Sequence, residues 1–175
     1  MGLRHSGRLK ILFRELQIGA ILLRIISHRG NISGPDKSTE NSSKQVDLVL
    51  SLGLECEIDV WCVNGEMLLG HDSPKEMVPL EWLDSRSSKL WIHCKNLESL
   101  DYFSSTSSEL NYFWHQTDDY SLTSLGYIWA YPGKPLSPRS ILVLPELYTD
   151  LSEESLYLGN RKLYGICSDY VSKVL

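Results

Sequence analysis

The segment "ECEIDVWCVNGEMLLGHD", residues 55–72, alternates polar and apolar side chains up to the dipeptide Asn64-Gly65. Successive side chains of a β-strand point to opposite faces of a sheet. One face of this strand is therefore acidic and carries Glu57 and Asp59, whereas the other face is apolar and suits packing beneath helices. Asn-Gly favours a two-residue hairpin turn, so the strands on either side of it are predicted to pair antiparallel.

Short apolar strands alternate with polar, helix-compatible segments along the rest of the chain. That order is typical of a parallel sheet covered by helices. A complete (β/α)8 barrel needs roughly 200–250 residues, whereas this chain has 175. We therefore predict an α/β fold for residues 25–175, a compact, truncated TIM-type barrel with a β-hairpin after its second strand. The predicted strands are 24–28, 54–62, 66–70, 90–94, 111–116, 127–131, 141–145 and 164–168, the predicted helices are 41–52, 79–86, 97–105 and 151–158, and the segments 117–126 and 132–140 are predicted to replace helices.

Residues 1–24 form a separate N-terminal extension. Apolar side chains recur there at helical spacing, and basic residues add positive charge. An organelle-targeting leader, a surface-binding amphipathic helix, a helix closing the base of the barrel and a wrongly assigned start codon all fit this pattern. The chain has no uninterrupted apolar run of about 18 residues, so no transmembrane segment is expected.

The composition is that of an ordinary globular protein, with 42% hydrophobic and 22% charged residues. The net charge of -5 argues against a nucleic-acid partner, which requires a basic face. Cysteines occur at four positions without a C-x-x-C pair, and all four lie in apolar, strand-like runs. We interpret them as buried free thiols of a cytoplasmic protein. They are Cys56, Cys62, Cys94 and Cys167.

The strand "LWIHCKN", residues 90–96, repeats the alternation of the acidic strand, with His93 and Lys95 on one face. Two carboxylates one residue apart, such as Glu57 and Asp59, repel each other unless a cation lies between them. Hard divalent ions prefer such oxygen-rich surroundings. We therefore predict a metal site on the acidic strand, with His93 placed to complete it and Lys95 placed to hold an anion.

The first strand ends in "SHRG", residues 27–30. His28 is a candidate acid–base group or metal ligand, because imidazole exchanges protons near neutral pH. Arg29 carries a planar fork of donors that matches the oxygens of a phosphate. The following glycine allows the chain to turn sharply.

Four motifs then occur in a fixed order along the chain. They are "SHRG" at 27–30, "ENSS" at 40–43, the acidic segment that ends in His71-Asp72, and "GICSDY" at 165–170. This order and spacing resemble the glycerophosphodiester phosphodiesterase family, whose pattern runs H-R-G, E-N-[TS], E-x-D-V, a Gly-containing turn and H-D. The middle of the chain is shorter than that family usually has.

The resemblance implies a metal-dependent phosphodiester hydrolase on a TIM-type barrel. It assigns general acid–base catalysis to His28 and His71, since one group must activate the attacking oxygen and another must protonate the leaving alkoxide. Asp72 is then placed to orient His71. By the same resemblance, Glu57, Asp59 and Glu40 are metal-site carboxylates, and Arg29 and Lys95 contact the phosphate.

Two positions depart from the family pattern. His93 stands where the family usually has a glutamate that is the third carboxylate ligand, and Tyr170-Val171 stands where a proline often follows. We expect a divalent cation, Mg²⁺ or Ca²⁺ first. Mn²⁺ or Zn²⁺ are the alternatives, because an imidazole nitrogen suits those ions better.

The alcohol of the substrate is less defined by the sequence. We expect a small phosphodiester, a glycerophosphodiester or a related headgroup, with Trp129 at the substrate and the oligomeric state open. One rival interpretation is a catalytically weak phosphate- or metal-binding module on the same barrel. Another is a hydrolase of non-phosphate esters, which Arg29 and Lys95 disfavour. Further candidates for the pocket are Trp114, His115, Tyr131, Glu146 and Asp169.

Overall fold

The computed structural model describes residues 17–18, 21–106, 109–151 and 163–174. These residues form a curled mixed sheet with few helices, which is consistent with a truncated TIM-like barrel. The strands are β1 (Gln17–Ile18), β2 (Ile21–Leu22), β3 (Arg24–His28), β4 (Glu55–Val63), β5 (Glu66–Leu69), β6 (Glu76–Val78), β7 (Leu90–Cys94), β8 (Asn111–Phe113), β9 (Tyr120–Leu122), β10 (Ile128–Ala130), β11 (Ser140–Val143) and β12 (Gly165–Ser168). The helices are α1 (Ser43–Ser51), α2 (Leu80–Asp84), α3 (Leu97–Ser105) and α4 (Val171–Val174), and 3-10 turns cover Ser87–Lys89 and Pro145–Leu147.

The parallel strands follow the order β8-β7-β4-β3-β12-β11-β10. The carboxyl end of β4 also pairs antiparallel with β5, with Val63 opposite Glu66 across the Asn64-Gly65 turn. β6 extends this antiparallel arm, and β9 pairs antiparallel with β10. At the seam between β8 and β10, the ring of Phe113 stacks on Trp129 with 4.6 Å between centroids. The two ends of the parallel order therefore meet through side chains.

The sheet has an apolar layer on each face. The outer face of β4 is buried against helices α1 and α3, as the alternation in its sequence predicts. The inner face is filled by an aromatic and aliphatic cluster below the acidic edge. The outer layer includes Cys56, Ile58, Val60 and Cys62 with Val46, Val49 and Phe103, and the inner cluster is Ile26, Trp91, Phe113, Trp129, Ile141, Val143 and Cys167.

Most predicted elements of the first half are confirmed. The strands at 24–28 and 90–94 and the helix at 97–105 have the predicted bounds. Helix α1 begins at Ser43 because Ser42 is its N-cap, whose side chain accepts a hydrogen bond from the backbone N–H of Gln45. All four cysteines are free and buried, as expected.

The second half differs more from the predictions. The strand predicted at 111–116 ends at Phe113, and the segment predicted to replace a helix at 117–126 contains β9. β6 was also not predicted. The helix predicted at 151–158 lies outside the described residues, apart from Leu151. Three-residue strands carry too few alternating positions to stand out from a loop.

The prediction for residues 1–24 falls mostly outside the described residues. Within it, Gln17–Ile18 pairs antiparallel with Ile21–Leu22, and β3 already begins at Arg24. These four residues are therefore paired as strands rather than helical. The alternatives given above for the extension as a whole stay predictions.

Among the described residues, no helix combines the length and the apolar character that crossing a membrane requires.

Candidate active site

Three adjacent parallel strands bring the predicted polar residues to one edge of the sheet. In the ladder, His28 of β3 lies opposite Glu57 of β4, and Asp59 of β4 lies opposite His93 of β7. Because all three strands run in the same direction, these side chains emerge together near their carboxyl ends. The alternation of polar and apolar residues in β4 and β7 puts the polar side chains of each strand on one face, and the parallel pairing of the two strands brings those faces together.

Glu57, Asp59 and His93 form a cluster that can hold a metal ion. One ligand atom from each lies within 4.8 Å of the others. Nδ1 of His93 is 2.9 Å from Oδ1 of Asp59 and 4.0 Å from Oε1 of Glu57. Oδ1 of Asp59 is buried and lies at ion-pair distance from both His93 and Lys95. Two buried carboxylates beside an imidazole nitrogen form a donor set that fits a divalent cation.

Neighbouring groups fix the orientation of Asp59. The Asn41 side-chain amide donates to Oδ2 of Asp59 at 2.8 Å, and the Asp59 backbone N–H donates to Oδ1 of Asn41 at 2.9 Å. Nε of Arg29 lies 3.2 Å from the same Oδ2. These contacts occupy one carboxylate oxygen and leave the other directed at the cluster, as supporting residues do around metal ligands.

The ring of His93 is held on two sides. Its Nε2 donates to the backbone carbonyl of His115 at 2.9 Å, so Nδ1 is the atom that faces the carboxylates. The ring also stacks on Phe113, with centroids 5.2 Å apart and planes 4° from parallel. The group that faces the two carboxylates at this position is therefore an imidazole nitrogen, whereas the resembled family has a carboxylate there.

The two carboxylates of the cluster respond to burial in opposite ways. Burial and the charge of Asp59 raise the pKa of Glu57. Burial also opposes ionisation of Asp59, but His93, Lys95 and Arg29 together lower the pKa of Asp59 well below its ordinary value. Nζ of Lys95 lies 3.3 Å from Oδ1 of Asp59. A cation between the carboxylates would stabilise both in their charged form.

His28 is held between two acidic residues. Its Nδ1 is hydrogen-bonded to Oδ1 of Asp169 at 2.8 Å, and its Nε2 lies 3.9 Å from Oε2 of Glu57. The Asn31 side-chain amide donates to the same Asp169 oxygen at 2.8 Å. Burial opposes the charged form of His28, but Asp169 and Glu57 raise its pKa. Asp169 thus fixes Nδ1, and Nε2 is the atom left for proton transfer.

His71 follows a turn that only glycine fits. Gly70 has φ +147, and a Cβ added there would lie 2.1 Å from the backbone oxygen of Ser73. Nδ1 of His71 is hydrogen-bonded to Oδ1 of Asp72 at 2.7 Å. Asp72 therefore holds His71 as Asp169 holds His28, but Asp72 is exposed to solvent whereas Asp169 is largely buried.

One cavity of about 390 Å³ opens over this edge of the sheet. Its first wall is polar and contains most of the predicted site residues. Its second wall is apolar and comes from the strands and turns on the other side of the barrel. The polar wall, which we name the charged wall, consists of His28, Arg29, Glu57, His71, His93 and Lys95. The second wall, which we name the apolar wall, consists of Trp129, Tyr131, Pro132, Val143, Leu144 and Leu147. His115 and Gln116 complete the lining.

Two predicted residues are placed differently from their expected roles. Glu40 lies outside the three-residue cluster; its Oε2 is instead 3.9 Å from Nη1 of Arg29. Its neighbour Asn41 makes the contacts to Asp59, because a left-handed backbone at Asn41, φ 55, turns that side chain inward. Trp129 lines the cavity but is nearly fully buried, so it belongs to the core as well as to the site.

Two asparagines that support the site were not predicted. Asn31 directly follows the "SHRG" motif and Asn41 lies within "ENSS", and their proximity to these motifs was the available signal. Glu146 was a candidate for the pocket, but its carboxylate accepts hydrogen bonds from Ser168 and from the backbone of Asp169 instead. No spacing in the sequence connects Glu146 to Asp169.

Comparisons with known proteins support the fold. No protein-family profile matches the chain, and no curated protein matches its sequence. A solved structure of a candidate glycerophosphodiester phosphodiesterase from Galdieria sulphuraria is similar, with a TM-score of 0.50 and 12% identity over 88% of this chain and 96% of that chain. At this identity the likeness shows a shared fold, and it supports the fold family that the sequence motifs resemble.

Proposed function

We propose that this chain is a metal-dependent phosphodiester hydrolase that acts on glycerophosphodiesters or related headgroup phosphodiesters. The observation that carries the proposal is the convergence of His28, His71 and the Glu57–Asp59–His93 cluster on one cavity. Phosphodiester hydrolysis needs charge stabilisation and two proton transfers, and this constellation offers both.

Glu57, Asp59 and His93 are the residues that would hold the cation. When bound, a divalent cation supplies Lewis-acid polarisation of the phosphoryl oxygens. The fit rests on the buried Oδ1 of Asp59, on Nδ1 of His93, which faces it, and on the 4.8 Å within which the three ligand atoms lie.

Arg29 and Lys95 are proposed to bind the phosphate. Both line the cavity, and both lie beside the charge of Asp59, at 3.2 Å and 3.3 Å. Arg29 has φ 53, and its backbone N–H donates to the Glu57 carbonyl at 3.0 Å. This left-handed conformation is costly for a non-glycine residue, and such strain occurs where a side chain must be held for function.

His28 and His71 are proposed to move the protons. Each has one ring nitrogen occupied by a carboxylate, Asp169 for His28 and Asp72 for His71. The other nitrogen is therefore free to take a proton from the attacking hydroxyl or to give one to the leaving alkoxide. Water and a neighbouring hydroxyl of the substrate both fit as the attacking group.

Turnover of bis-p-nitrophenyl phosphate and glycerophosphocholine in Mg²⁺, Ca²⁺, Mn²⁺ and Zn²⁺ tests the proposal. We expect metal-dependent hydrolysis, with kcat/KM lowered about 10²- to 10⁴-fold in both His28→Ala and His71→Ala. Lys134→Ala is the control, because Lys134 pairs with Asp119 outside the cavity.

The rival function is a binding module that holds phosphate or metal without turnover. The replacement of a carboxylate by His93 favours it, as does the ammonium of Lys95 beside Asp59, because both reduce the negative charge available to a cation. Calorimetric metal binding with no turnover in any metal would establish the module. Turnover that survives both histidine substitutions would contradict the hydrolase mechanism.

A further inference from the structure

The apolar wall of the cavity faces the charged wall. The proposed proton transfers and the proposed metal binding do not involve the apolar wall. All six of its residues lack charge. Trp129 and Val143 are buried and serve the core, but Tyr131 and Leu147 are exposed by 45% and 65%. Apolar side chains that line a concave site can bury an apolar group of a ligand against them.

A strained turn puts this wall in place. Leu144 adopts the left-handed conformation, φ 46 and ψ 53, immediately before the 3-10 turn Pro145–Leu147. Its backbone N–H donates to the carbonyl of Cys167 at 2.8 Å. Left-handed backbone is unfavourable for leucine and persists only where its surroundings impose it. The strain reverses the chain so that Leu144 and Leu147 both line the cavity.

The same turn is tied to the proposed acid–base group. Oε1 of Glu146 accepts a hydrogen bond from the backbone N–H of Asp169 at 2.7 Å, and Oε2 accepts one from Ser168 at 3.0 Å. Asp169 in turn holds His28. Glu146 therefore connects the turn of the apolar wall to the residue that holds His28, in addition to the pairing of β11, β12 and β3 in the sheet.

We propose that the apolar wall binds an alkyl or acyl chain carried by the substrate, so that the favoured substrates are monomeric single-chain amphiphilic phosphodiesters. The inference rests on the proposed function and specifies its substrate class. A phosphate bound between Arg29 and Lys95 directs one ester substituent toward the opposite wall. A cavity of about 390 Å³ lies in the range of pockets for drug-sized ligands, and it offers a glycerol few polar partners on that side.

A series of p-nitrophenyl alkyl phosphodiesters with ethyl, butyl, hexyl and octyl chains tests the inference below their micelle concentrations. We expect kcat/KM to rise about two- to threefold for each methylene until the chain extends past the wall. Leu147→Ser should flatten this dependence, so that its loss of kcat/KM relative to the unsubstituted protein grows with chain length. The matched control is Leu97→Ser on α3, because Leu97 is 75% exposed and lies outside the cavity.

A binding measurement separates this inference from the proposed function. Calorimetry with alkyl(methyl)phosphinates of the same chain lengths, whose two P–C bonds cannot be hydrolysed, should show tighter binding of longer chains, again flattened by Leu147→Ser, whether or not the protein turns over. Chain-dependent binding without turnover overturns the hydrolase and supports the apolar wall.

Three outcomes overturn the inference. The first is turnover of the ethyl ester with no dependence on chain length, which leaves the hydrolase intact. The second is an equal loss in Leu97→Ser and Leu147→Ser, which indicates non-specific adhesion of alkyl chains. The third is a chain effect seen only above the micelle concentration or on phosphatidylcholine vesicles, which indicates binding to a lipid surface.

Discussion

The charged wall and the apolar wall of the cavity are built by different means. Most of the charged wall lies on β3, β4 and β7 or directly after β3 and β7, and the pairing of these strands sets the positions of Glu57 and His93. His71 is the exception, because it follows the turn after β5. The apolar wall comes from the short strands β10 and β11 and the strained turn that follows β11. In the first case the backbone ladder positions the side chains, whereas in the second a few long-range contacts do so.

Under the proposed function, this difference separates the chemistry from the choice of substrate. The Glu57–Asp59–His93 cluster, whose members must meet within a few ångströms, is carried by strands, which hold geometry closely. The groups that would contact the variable part of a substrate are carried by a turn and a strand end, which can change without disturbing the sheet. The predictions below test whether the two walls behave independently.

The largest effect is expected for Asp59→Asn, which removes the fully buried charge that lies behind the charged wall and contacts Arg29, His93 and Lys95. Metal binding and turnover should both be lost, because the amide supplies no negative charge to a cation. Calorimetry with Mn²⁺ and the phosphodiester assay measure the two effects. Asp47→Asn is the control, because Asp47 lies in α1 and pairs with Arg86. Unchanged metal binding in Asp59→Asn would show that the cluster is not the metal site.

Asp169→Asn should have an intermediate effect through His28. We expect kcat/KM to fall about 10- to 100-fold, the usual cost of losing a residue that orients a catalytic or ligating group. Asp169 raises the pKa of His28, so its loss lowers that pKa. The limb of the pH–rate profile that reports His28 protonation should therefore move to lower pH.

Asp72→Asn is the matched comparison for Asp169→Asn. Asp72 contacts His71 in the same way but is exposed, and solvent screens its charge. A smaller loss than in Asp169→Asn is expected. An equal or larger loss would mean that burial of the carboxylate does not decide how strongly it orients its histidine.

A smaller effect, on the preference between metals, is expected for His93→Glu, which introduces the carboxylate found in the resembled family. The preference for Mg²⁺ over Mn²⁺ should rise on the order of tenfold, because oxygen ligands suit Mg²⁺ and imidazole suits the transition metals. Competitive metal binding, read by the electron paramagnetic resonance signal of free Mn²⁺, measures the ratio. His93→Gln, which supplies no charge, should weaken both metals together. A preference unchanged in His93→Glu would exclude Nδ1 of His93 as a ligand.

The sequence predicted the charged wall better than the apolar wall for a physical reason. On β4 and β7 the alternation of polar and apolar residues indicates which side chains share a face. The parallel pairing of the two strands then brings these faces together. Glu57, Asp59, His93 and Lys95 could therefore be grouped in advance. Glu40 could not, because the loop that follows β3 turns Asn41 rather than Glu40 toward Asp59.

The apolar wall had no comparable signal. Trp129 was a candidate for the substrate, but nothing local indicates that Leu144 adopts a left-handed conformation, since leucine disfavours it. That conformation depends on a backbone hydrogen bond to Cys167 and on the anchoring of Glu146 at Asp169. Contacts between residues distant in the chain leave no periodicity to detect, and the turn was accordingly missed.

The seam between β8 and β10 has an optical consequence. Trp129 stacks on Phe113 at the seam and also lines the cavity. An occupant of the cavity alters the polarity around this indole and the quenching it experiences. Trp129 is thus an intrinsic fluorophore that lies both at the seam and in the cavity, and its emission should report occupancy of the cavity without any attached label.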